Sequence, residues 1–349
     1  MRQEILFLEL DDRGKESERK KNYSGGIVQM KKITAIVLAA LLIFALCACG
    51  GGSSAKKELT MTTGNETGTY YAYGTVLANY VSKNTDFTIT AVSGKGSKAN
   101  VEDMHANLAQ LGFCQSDVMS YAFNGERLFD GAKIDDFSVV GALYMEQVQI
   151  VTTNPAVKTV ADLAGKVVSV GESGSGTYFN ALDVLSAYGM TEEDITPVYQ
   201  SFSDSAESLK DGKIDAAFIV AGAPTNAITD LATGKNVNLV AIDDDHISSL
   251  IAMCPYYNAY TVPAGTYKGM EEDVQTVAIA AMVLARDDVS EDAVYGFLKA
   301  IFQDTAAVTE QHAKGAELDL AFASSVTSVP FHKGAVKFFA ENGISVTGK

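Results

Sequence analysis

From residue 59 onward, apolar residues occur in two patterns that alternate along the chain. Residues 59–63 and 87–92 are short runs rich in β-branched and aromatic residues, each followed closely by glycine, which predicts two strands. Between them, residues 71–81 carry apolar residues three and four positions apart, which predicts a helix. The chain therefore begins its folded part with a strand, a helix and a second strand.

The same alternation continues to the end of the chain. Further predicted helices are 101–108, 178–188, 206–209, 291–302 and 335–342. Further predicted strands are 111–113, 139–143, 148–151, 167–170, 216–220, 237–242, 260–263 and 277–285. Strands separated by helices predict an α/β fold, with parallel sheets that are covered on both faces.

The order of these elements predicts two lobes. Residues 58–143 and 144–255 are two βα halves of similar size, and residues 256–349 return to the first lobe. The chain would then cross between the lobes twice, and such double crossings form hinges. A ligand site is expected in the cleft between the lobes.

The first 57 residues differ from the rest. A basic start at Met30 and an apolar or small-residue run over 33–46 are typical of a secretory signal peptide, which we assign to 30–48. A short membrane anchor is the alternative, but the run is shorter than the roughly 20 residues that a spanning helix needs. We interpret residues 1–29 as a non-native extension upstream of the true start, and 49–57 as a flexible tether.

The end of the apolar run, Leu46-Cys47-Ala48-Cys49-Gly50, resembles the lipobox of bacterial lipoproteins, although Cys47 departs from the usual small residue. This resemblance implies that Cys49 is lipidated and that the protein is extracytoplasmic and anchored to the cell membrane through its lipid.

Composition narrows the possible functions. The 349 residues are 47% hydrophobic and 20% charged, which is a globular mixture and excludes a disordered chain. A formal net charge of −16 argues against nucleic acid as a partner, because no basic face is available to neutralise phosphates. Four cysteines are too few for a disulfide framework at this length, so Cys114 and Cys254 are either buried free thiols or one pair.

Three glycine-rich loops, at 62–71, 93–100 and 171–178, each follow a predicted strand and open a predicted helix. Glycine lets the backbone approach a ligand closely, and the hydroxyls and free N–H groups at a helix start bind a carboxylate or phosphate. Ligands of open α/β sheets bind at this position. Ordinary helix capping is the alternative interpretation of each loop.

The motifs of common enzymes and metal sites are missing from these loops. The third loop lacks the last glycine of a dinucleotide fingerprint and the closing glycine of a hydrolase elbow. The four histidines are not spaced as metal ligands, and 243–245 is interpreted as a solvated acidic turn. We therefore expect no enzymatic activity, no cofactor and no metal.

Several stretches in their order resemble the TAXI family, the solute-binding receptors of TRAP transporters. These stretches are 62–71, 112–117, 173–177, 221–225 and 330–335. The resemblance implies a two-lobed type II periplasmic-binding-protein fold without enzymatic activity. It also implies a small carboxylate or amino-acid ligand (glutamate, glutamine or a related 2-oxo or dicarboxylic acid). The implied partners are the membrane subunits of a sodium-driven TRAP transporter, and we expect the receptor to be a monomer.

The same resemblance assigns ligand-binding residues where the loops match. In the first lobe these are Thr63, Gly64, Thr67, Tyr70, Tyr71, Ser97 and Gln115. In the second lobe they are Ser173, Ser175, Gly176, Thr177, Gly222, Ala223 and Pro224. One of the two tyrosines could instead pack beneath its own helix, and Lys95 and Lys98 are interpreted as solvated. Such a site would contain no arginine and would bind its ligand through helix N-termini and hydroxyls.

Two alternatives stay open. The same fold could serve an ABC importer or a sensor kinase, which the neighbouring genes would distinguish. An extracytoplasmic hydrolase using Ser175 is the alternative from a different functional class, and turnover of ester or amide substrates would support it.

Overall fold

The computed structural model describes residues 57–349. The predictions for the extension at 1–29, the signal peptide at 30–48 and the lipid on Cys49 concern residues outside this described range. Within 57–349, no helix combines the length and the apolar character needed to cross a membrane.

The described residues form ten strands and eleven α-helices. The strands are β1 (Lys57–Thr62), β2 (Phe87–Val92), β3 (Leu111–Gln115), β4 (Phe137–Thr152), β5 (Val167–Ser169), β6 (Thr196–Val198), β7 (Ala216–Ala221), β8 (Asn238–Leu239), β9 (Asn258–Val262) and β10 (Val274–Arg286). The helices are α1 (Thr69–Asn84), α2 (Ser97–His105), α3 (Ser116–Asn124), α4 (Gly176–Ala187), α5 (Phe202–Asp211), α6 (Asn226–Gly234), α7 (Asp244–Met253), α8 (Glu291–Gln303), α9 (Thr305–Gln311), α10 (Leu320–Ala323) and α11 (Lys333–Glu341).

All ten strands belong to one sheet. Its main order is β2-β1-β3-β10-β4-β7-β5-β6, with β8 paired to β4 and β9 paired to β10. The strands on each side, β2-β1-β3 and β7-β5-β6, are parallel to one another, whereas β10 and β4 in the middle run antiparallel to their neighbours. Two parallel βα units are therefore joined by a central antiparallel pair.

The strand β4 is continuous over 16 residues, although its sequence predicts two separate strands at 139–143 and 148–151. Polar Glu146 and Gln147 interrupt the apolar run, but both are buried and stay in register with Ile279 and Ala278 of β10. The prediction was wrong because a ladder of backbone hydrogen bonds does not require apolar side chains.

Three buried clusters divide this sheet. The first contains β4 up to Tyr144, β10 from Ala281, and helices α1 and α8. The other two clusters cover opposite faces of β7, where buried side chains alternate between them from Ala216 to Ala221. Val148 and Ile279 belong to the second cluster, so each long strand passes from one core to the other near its middle.

The clusters indicate where the chain after residue 255 packs, which concerns the boundary predicted at residue 256. Tyr257, Tyr267 and Val277 pack in the second and third clusters. The boundaries 58–143, 144–255 and 256–349 stay predictions, and we propose that the return to the first lobe lies within β10 near Ala280 and not at residue 256.

Some local predictions were wrong. The helix expected to reach Leu108 ends at His105, because Asn107 adopts a positive φ of 62° and leaves Leu108 67% exposed. The acidic turn at 243–245 begins helix α7, since the Asp243 side chain accepts a hydrogen bond from the His246 N–H as an N-cap. Of the strand expected at 237–242, only Asn238–Leu239 pairs in the sheet.

Cys114 and Cys254 are both buried and free. The Cys254 sulfur lies 3.4 Å from the Tyr121 hydroxyl, and the Cys114 thiol faces the Ser97 carbonyl at 3.8 Å. Of the two alternatives for this pair, the structure shows free thiols.

Candidate functional site

A cavity of about 430 Å³, counting its open mouth, lies among the loops that follow β1, β2, β5 and β6. It is lined by Gly64, Asn65, Gly68, Thr69, Tyr70, Lys95, Gly96, Ser97, Gln115, Glu146, Glu172, Ser175, Gly176, Thr177, Gln200, Phe202, Val220 and Ala221. We call this the cleft.

Four helices begin at the cleft. The first residues of α1, α2, α4 and α5 all line it: Thr69, Ser97, Gly176 and Phe202. Each helix N-terminus carries unpaired N–H groups and the positive end of the helix dipole. Four such ends on one cavity give it a positive potential that does not depend on a charged side chain.

The N-termini of α1 and α2 have no capping side chain. Their N-cap residues are Gly68 and Gly96, and neither helix receives a side-chain hydrogen bond at this end. Gly96 has a φ of 100°, which only glycine adopts at low cost. By contrast, the Ser175 hydroxyl caps α4 by accepting a hydrogen bond from the Tyr178 N–H at 3.2 Å. In α2 the Ala99 N–H already donates to the Gly174 carbonyl at 3.0 Å. The first turn of α1 and the first two N–H groups of α2 are therefore available to an anionic group.

Hydrogen bonds connect the two sides of the cleft. The Asn65 amide donates to Glu172 Oε2 at 2.6 Å, and its Oδ1 accepts from the Phe202 N–H at 3.2 Å. The Thr69 hydroxyl donates to the Gly222 carbonyl at 3.0 Å. These contacts join α1 and the loop before it to the loops that follow β5, β6 and β7, so the two sides of the cleft are held together around its open mouth.

Gly176 makes the closest approach between the two sides. A Cβ atom at this position would lie 1.9 Å from Gln115 Oε1 and 2.8 Å from the Ser97 hydroxyl. Both neighbours are buried, with 2% and 1% of their surface exposed, so neither can move aside freely. Only glycine fits here in the closed cleft.

Asn100 holds the loops of the first side in place. Its buried amide group donates to the Thr63 carbonyl at 2.5 Å and to the Phe113 carbonyl at 2.8 Å, and its Oδ1 accepts from the Thr62 hydroxyl at 2.9 Å. One side chain of α2 therefore ties the ends of β1 and β3 together beneath the cleft.

The interior of the cleft contains a buried carboxyl group. Glu146 is 2% exposed, and its Oε2 has no hydrogen-bond partner among residues 57–349. Burial raises the pKa of Glu146 to about 8, although Tyr70, Gln115 and Tyr144 lower it and Asp117 adds a smaller increase. At neutral pH and without a positively charged partner, Glu146 is therefore largely protonated.

A second buried acid lies close behind the cleft. Asp117 accepts hydrogen bonds from the Val118 N–H at 2.6 Å and from the Asn180 amide at 3.2 Å. Burial is also the main cause that raises the pKa of Asp117 to about 7. Both acids therefore bind protons more tightly in the folded chain than in the unfolded chain.

We expect the unliganded protein to lose stability as the pH rises. The folded state holds extra protons on Glu146 and Asp117 between the unfolded pKa values near 4 and the folded values near 7 and 8. This stabilisation is complete below about pH 4 and is lost as the pH rises through the folded values. The melting temperature should fall by roughly 10 °C or more from pH 5.5 to pH 8.5. Glu146→Gln should show a smaller fall, and an equal fall in both proteins would contradict the assignment to Glu146.

The cleft brings together half of the residues that the sequence proposed for ligand binding. Gly64, Tyr70, Ser97, Gln115, Ser175, Gly176 and Thr177 line it. Tyr70 also stacks on Phe113, with ring centroids 4.8 Å apart, whereas Tyr71 is half-buried and outside the lining.

The other proposed residues lie next to the cleft and outside its lining. The Thr63 hydroxyl donates to the Val92 carbonyl at 2.7 Å, and the Thr67 carbonyl accepts from the Ala227 N–H. Ser173 is exposed. Gly222 accepts the bond from Thr69, and the Ala223 N–H donates to Gln147 Oε1 at 2.7 Å, with Pro224 following.

Four polar residues of the lining were not predicted from the sequence. Glu146, Glu172, Asn65 and Gln200 were not proposed. Lys95 is exposed, as expected, and also lines the cleft. Lys98 instead pairs with Glu102 on its own helix. A glutamate inside an apolar strand was the available signal for Glu146.

The lining was searched for histidine, arginine and groups of metal ligands. None of the four histidines lines it. Within residues 57–349, no group of three histidine, cysteine, aspartate or glutamate side chains is arranged to hold a metal ion. Lys95 is the one basic residue among the lining residues, and no arginine lines the cleft in the described part of the chain.

Comparisons with known proteins give a family and a fold. A sequence model described as the NMT1-like family matches residues 61–343. A solved structure of a Bordetella bronchiseptica protein is similar at a TM-score of 0.51 and 12% identity, over 82% of this chain and 89% of that one. A structure described as a periplasmic transporter reaches a TM-score of 0.50 at 14% identity, over 75% of this chain and 88% of that one.

An alkanesulfonate-binding protein from Xanthomonas axonopodis pv. citri, bound to MOPS, has a TM-score of 0.48 at 18% identity. The similarity extends over 82% of this chain and 90% of the alkanesulfonate-binding protein. At these identities the structural similarity concerns the fold alone. The predicted α/β fold of a type II periplasmic-binding protein is confirmed.

Proposed function

The chain belongs to the NMT1-like family, and we propose that it is an extracytoplasmic solute-binding receptor that captures a small carboxylate. The observation that carries this proposal is the set of helix N-termini on one closed cavity, two of them without a capping side chain. Unpaired N–H groups and helix dipoles are a general means of binding an anionic group.

Local dipoles must supply the attraction, because the chain as a whole is negative. Its formal charge of −16 repels anions, but salt screens that repulsion over about 8 Å. Inside a closed, drier cleft each charge-assisted hydrogen bond is stronger than at the surface. Lys95 at the cleft adds the only basic side chain of its lining.

We propose the cleft residues Gly64, Tyr70, Ser97, Gln115, Ser175, Gly176 and Thr177 as direct ligand contacts. Thr63, Thr67, Tyr71, Ser173, Gly222, Ala223 and Pro224 are proposed as supporting residues, because they adjoin the cleft without lining it. The absence of histidine from the lining favours a receptor over the hydrolase alternative.

The assignment to a class of transporter rests on the sequence motifs described above. Their resemblance to the TAXI family supports delivery of the solute to the membrane subunits of a sodium-driven TRAP transporter, by a monomeric receptor held at the membrane through Cys49. Reconstitution with the transporter encoded beside its gene would test this. Uptake that follows a sodium gradient supports the proposal, whereas uptake that requires ATP would assign the receptor to an ABC importer.

A thermal-shift screen tests the receptor function itself. Protein stripped of bound ligand is heated with amino acids and with mono- and dicarboxylates, each beside its methyl ester. A ligand at a hundred times its dissociation constant stabilises by about 2.7 kcal/mol, which should raise the melting temperature by roughly 5–10 °C.

The esters serve as the control, because they keep the size and lose the anion. A shift with an acid and not with its ester, and recovery of the acid unchanged, supports a carboxylate receptor. Equal shifts with acid and ester, or no shift at all, would contradict it.

A further inference from the structure

We propose that Glu146 forms a cation subsite in the cleft, so that the ligand carries a protonated amine as well as its carboxylate. This inference rests on the proposed function, since it concerns the same cavity. It narrows the solute class to amino acids and assigns a specificity-determining role to a residue that no motif indicates.

The position of Glu146 is the first argument. It lies on β4 between Tyr144, which packs in the first cluster, and Val148, which packs in the second. Its side chain lines the cleft and is 2% exposed. The carboxyl group therefore lies at the base of the cavity, at the point where the strand passes between the two cores.

Glu146 has no positively charged partner in the described chain that would hold it ionised. No lysine or arginine among residues 57–349 forms an ion pair with it; Lys314 pairs with Glu317, and the charge of Lys95 acts on Glu172. The Tyr144 hydroxyl donates to Oε1 at 3.4 Å. Oε2 receives no well-aligned hydrogen bond within residues 57–349, although the Tyr70 hydroxyl and the Gln115 side chain lie near enough to lower the pKa of the carboxyl group. A buried carboxylate without a partner is costly, so a positively charged ligand group would be stabilised strongly here.

Other acceptors in the cleft lack donors as well. Gln115 Oε1 and Gln200 Oε1 are buried and receive no hydrogen bond within residues 57–349. An ammonium group carries three N–H donors, which these acceptors of the lining can receive. The Tyr70 hydroxyl is also buried and without a partner within residues 57–349, and it can donate to the ligand carboxylate. The arrangement thus favours an amine at Glu146 and the ligand carboxylate at the helix N-termini.

The test compares amino acids with 2-oxo acids that share their side chains. Isothermal titration calorimetry is run on the stripped full-length protein with alanine and pyruvate, aspartate and oxaloacetate, glutamate and 2-oxoglutarate, and leucine and 4-methyl-2-oxopentanoate. Within any pair that binds, we expect the amino acid to bind at least about a hundredfold more tightly, as befits a desolvated charge pair. Tighter or equal binding of the 2-oxo acid would overturn the proposal.

The variant Glu146→Gln keeps the size of the side chain and removes its charge. We expect it to lower amino-acid affinity by about a hundredfold, to leave 2-oxo acid affinity within about threefold, and so to abolish the discrimination. Its melting temperature at pH 8 should equal or exceed that of the wild type, which confirms that it folds.

Glu172→Gln is the matched control, because Glu172 also lines the cleft but already has Asn65 as a partner. This variant should change the affinity for an amino acid and for the matching 2-oxo acid by a similar factor. Discrimination that survives Glu146→Gln would overturn the cation subsite while leaving the receptor function intact. Binding by neither member of any pair, together with a negative thermal-shift screen, would overturn both.

Discussion

Gly176→Ala is expected to lower ligand affinity by at least about a hundredfold, or roughly 2.7 kcal/mol. The added methyl group would lie 1.9 Å from Gln115 Oε1, which no small adjustment relieves. The closed cleft would have to open or expel the Gln115 side chain. Either change would remove contacts that we propose for the ligand, so the main effect is expected on ligand affinity.

The unliganded protein can relieve the clash by opening the cleft, which breaks the hydrogen bonds from Asn65 to Glu172 and from Thr69 to Gly222, so its melting temperature should fall by only about 2–4 °C. Gly176 is the first residue of α4 and has no positive φ, so alanine is acceptable to the backbone. Calorimetry with the best ligand from the screen measures the affinity, and melting of the unliganded protein measures the stability. Gly234→Ala is the matched control, since a Cβ there meets nothing within 4 Å. If Gly176→Ala bound as tightly as Gly234→Ala, the closed cleft described here would not be the binding state.

Asn100→Ala is expected to destabilise the protein by about 3 kcal/mol, because it removes the amide that donates to two buried carbonyls. It also leaves the Thr62 hydroxyl with only Asp103 Oδ2, at 3.5 Å, as acceptor. For a chain of this size the melting temperature should fall by roughly 6–12 °C. The loops after β1 and β3 lose their common anchor, so ligand affinity should fall as well. Thermal unfolding measured by circular dichroism checks the first effect.

Asn84→Ala provides the comparison for Asn100. The Asn84 amide also donates to a backbone carbonyl, that of Tyr80 at 2.8 Å, but it is exposed and water can replace it. We expect this variant to melt within about 2 °C of the wild type. An equal effect of the two substitutions would show that Asn100 does not hold the loops together.

Half of the residues proposed from the sequence line the cleft, because its glycine-rich loops can be recognised in the sequence. The glycines that precede α1, α2 and α4 are needed where backbone approaches backbone or ligand, and such positions follow strands in a recognisable way. The helices and strands around them also keep their expected hydrophobic periods. Sequence therefore indicated where the cleft lies.

Sequence could not indicate how the two sides of the cleft meet. Asn65 and Glu172 are 107 residues apart and ordinary surface types, and only the closed fold brings them to 2.6 Å. Glu146 was missed for a related reason: a polar residue in a strand looks like a break in the pattern, whereas here it is a buried residue within one continuous strand. Both the Asn65–Glu172 contact and the burial of Glu146 depend on contacts between residues far apart in the sequence.

The most direct test of the account is a crystal structure of the protein with the amino acid that gives the largest thermal shift. The account predicts the ligand carboxylate within hydrogen-bond distance, about 3 Å, of the first N–H groups of α1 and α2, with the amine beside Glu146. A ligand in this cleft with its carboxylate directed away from both helix N-termini, or a ligand bound outside the cleft, would contradict it.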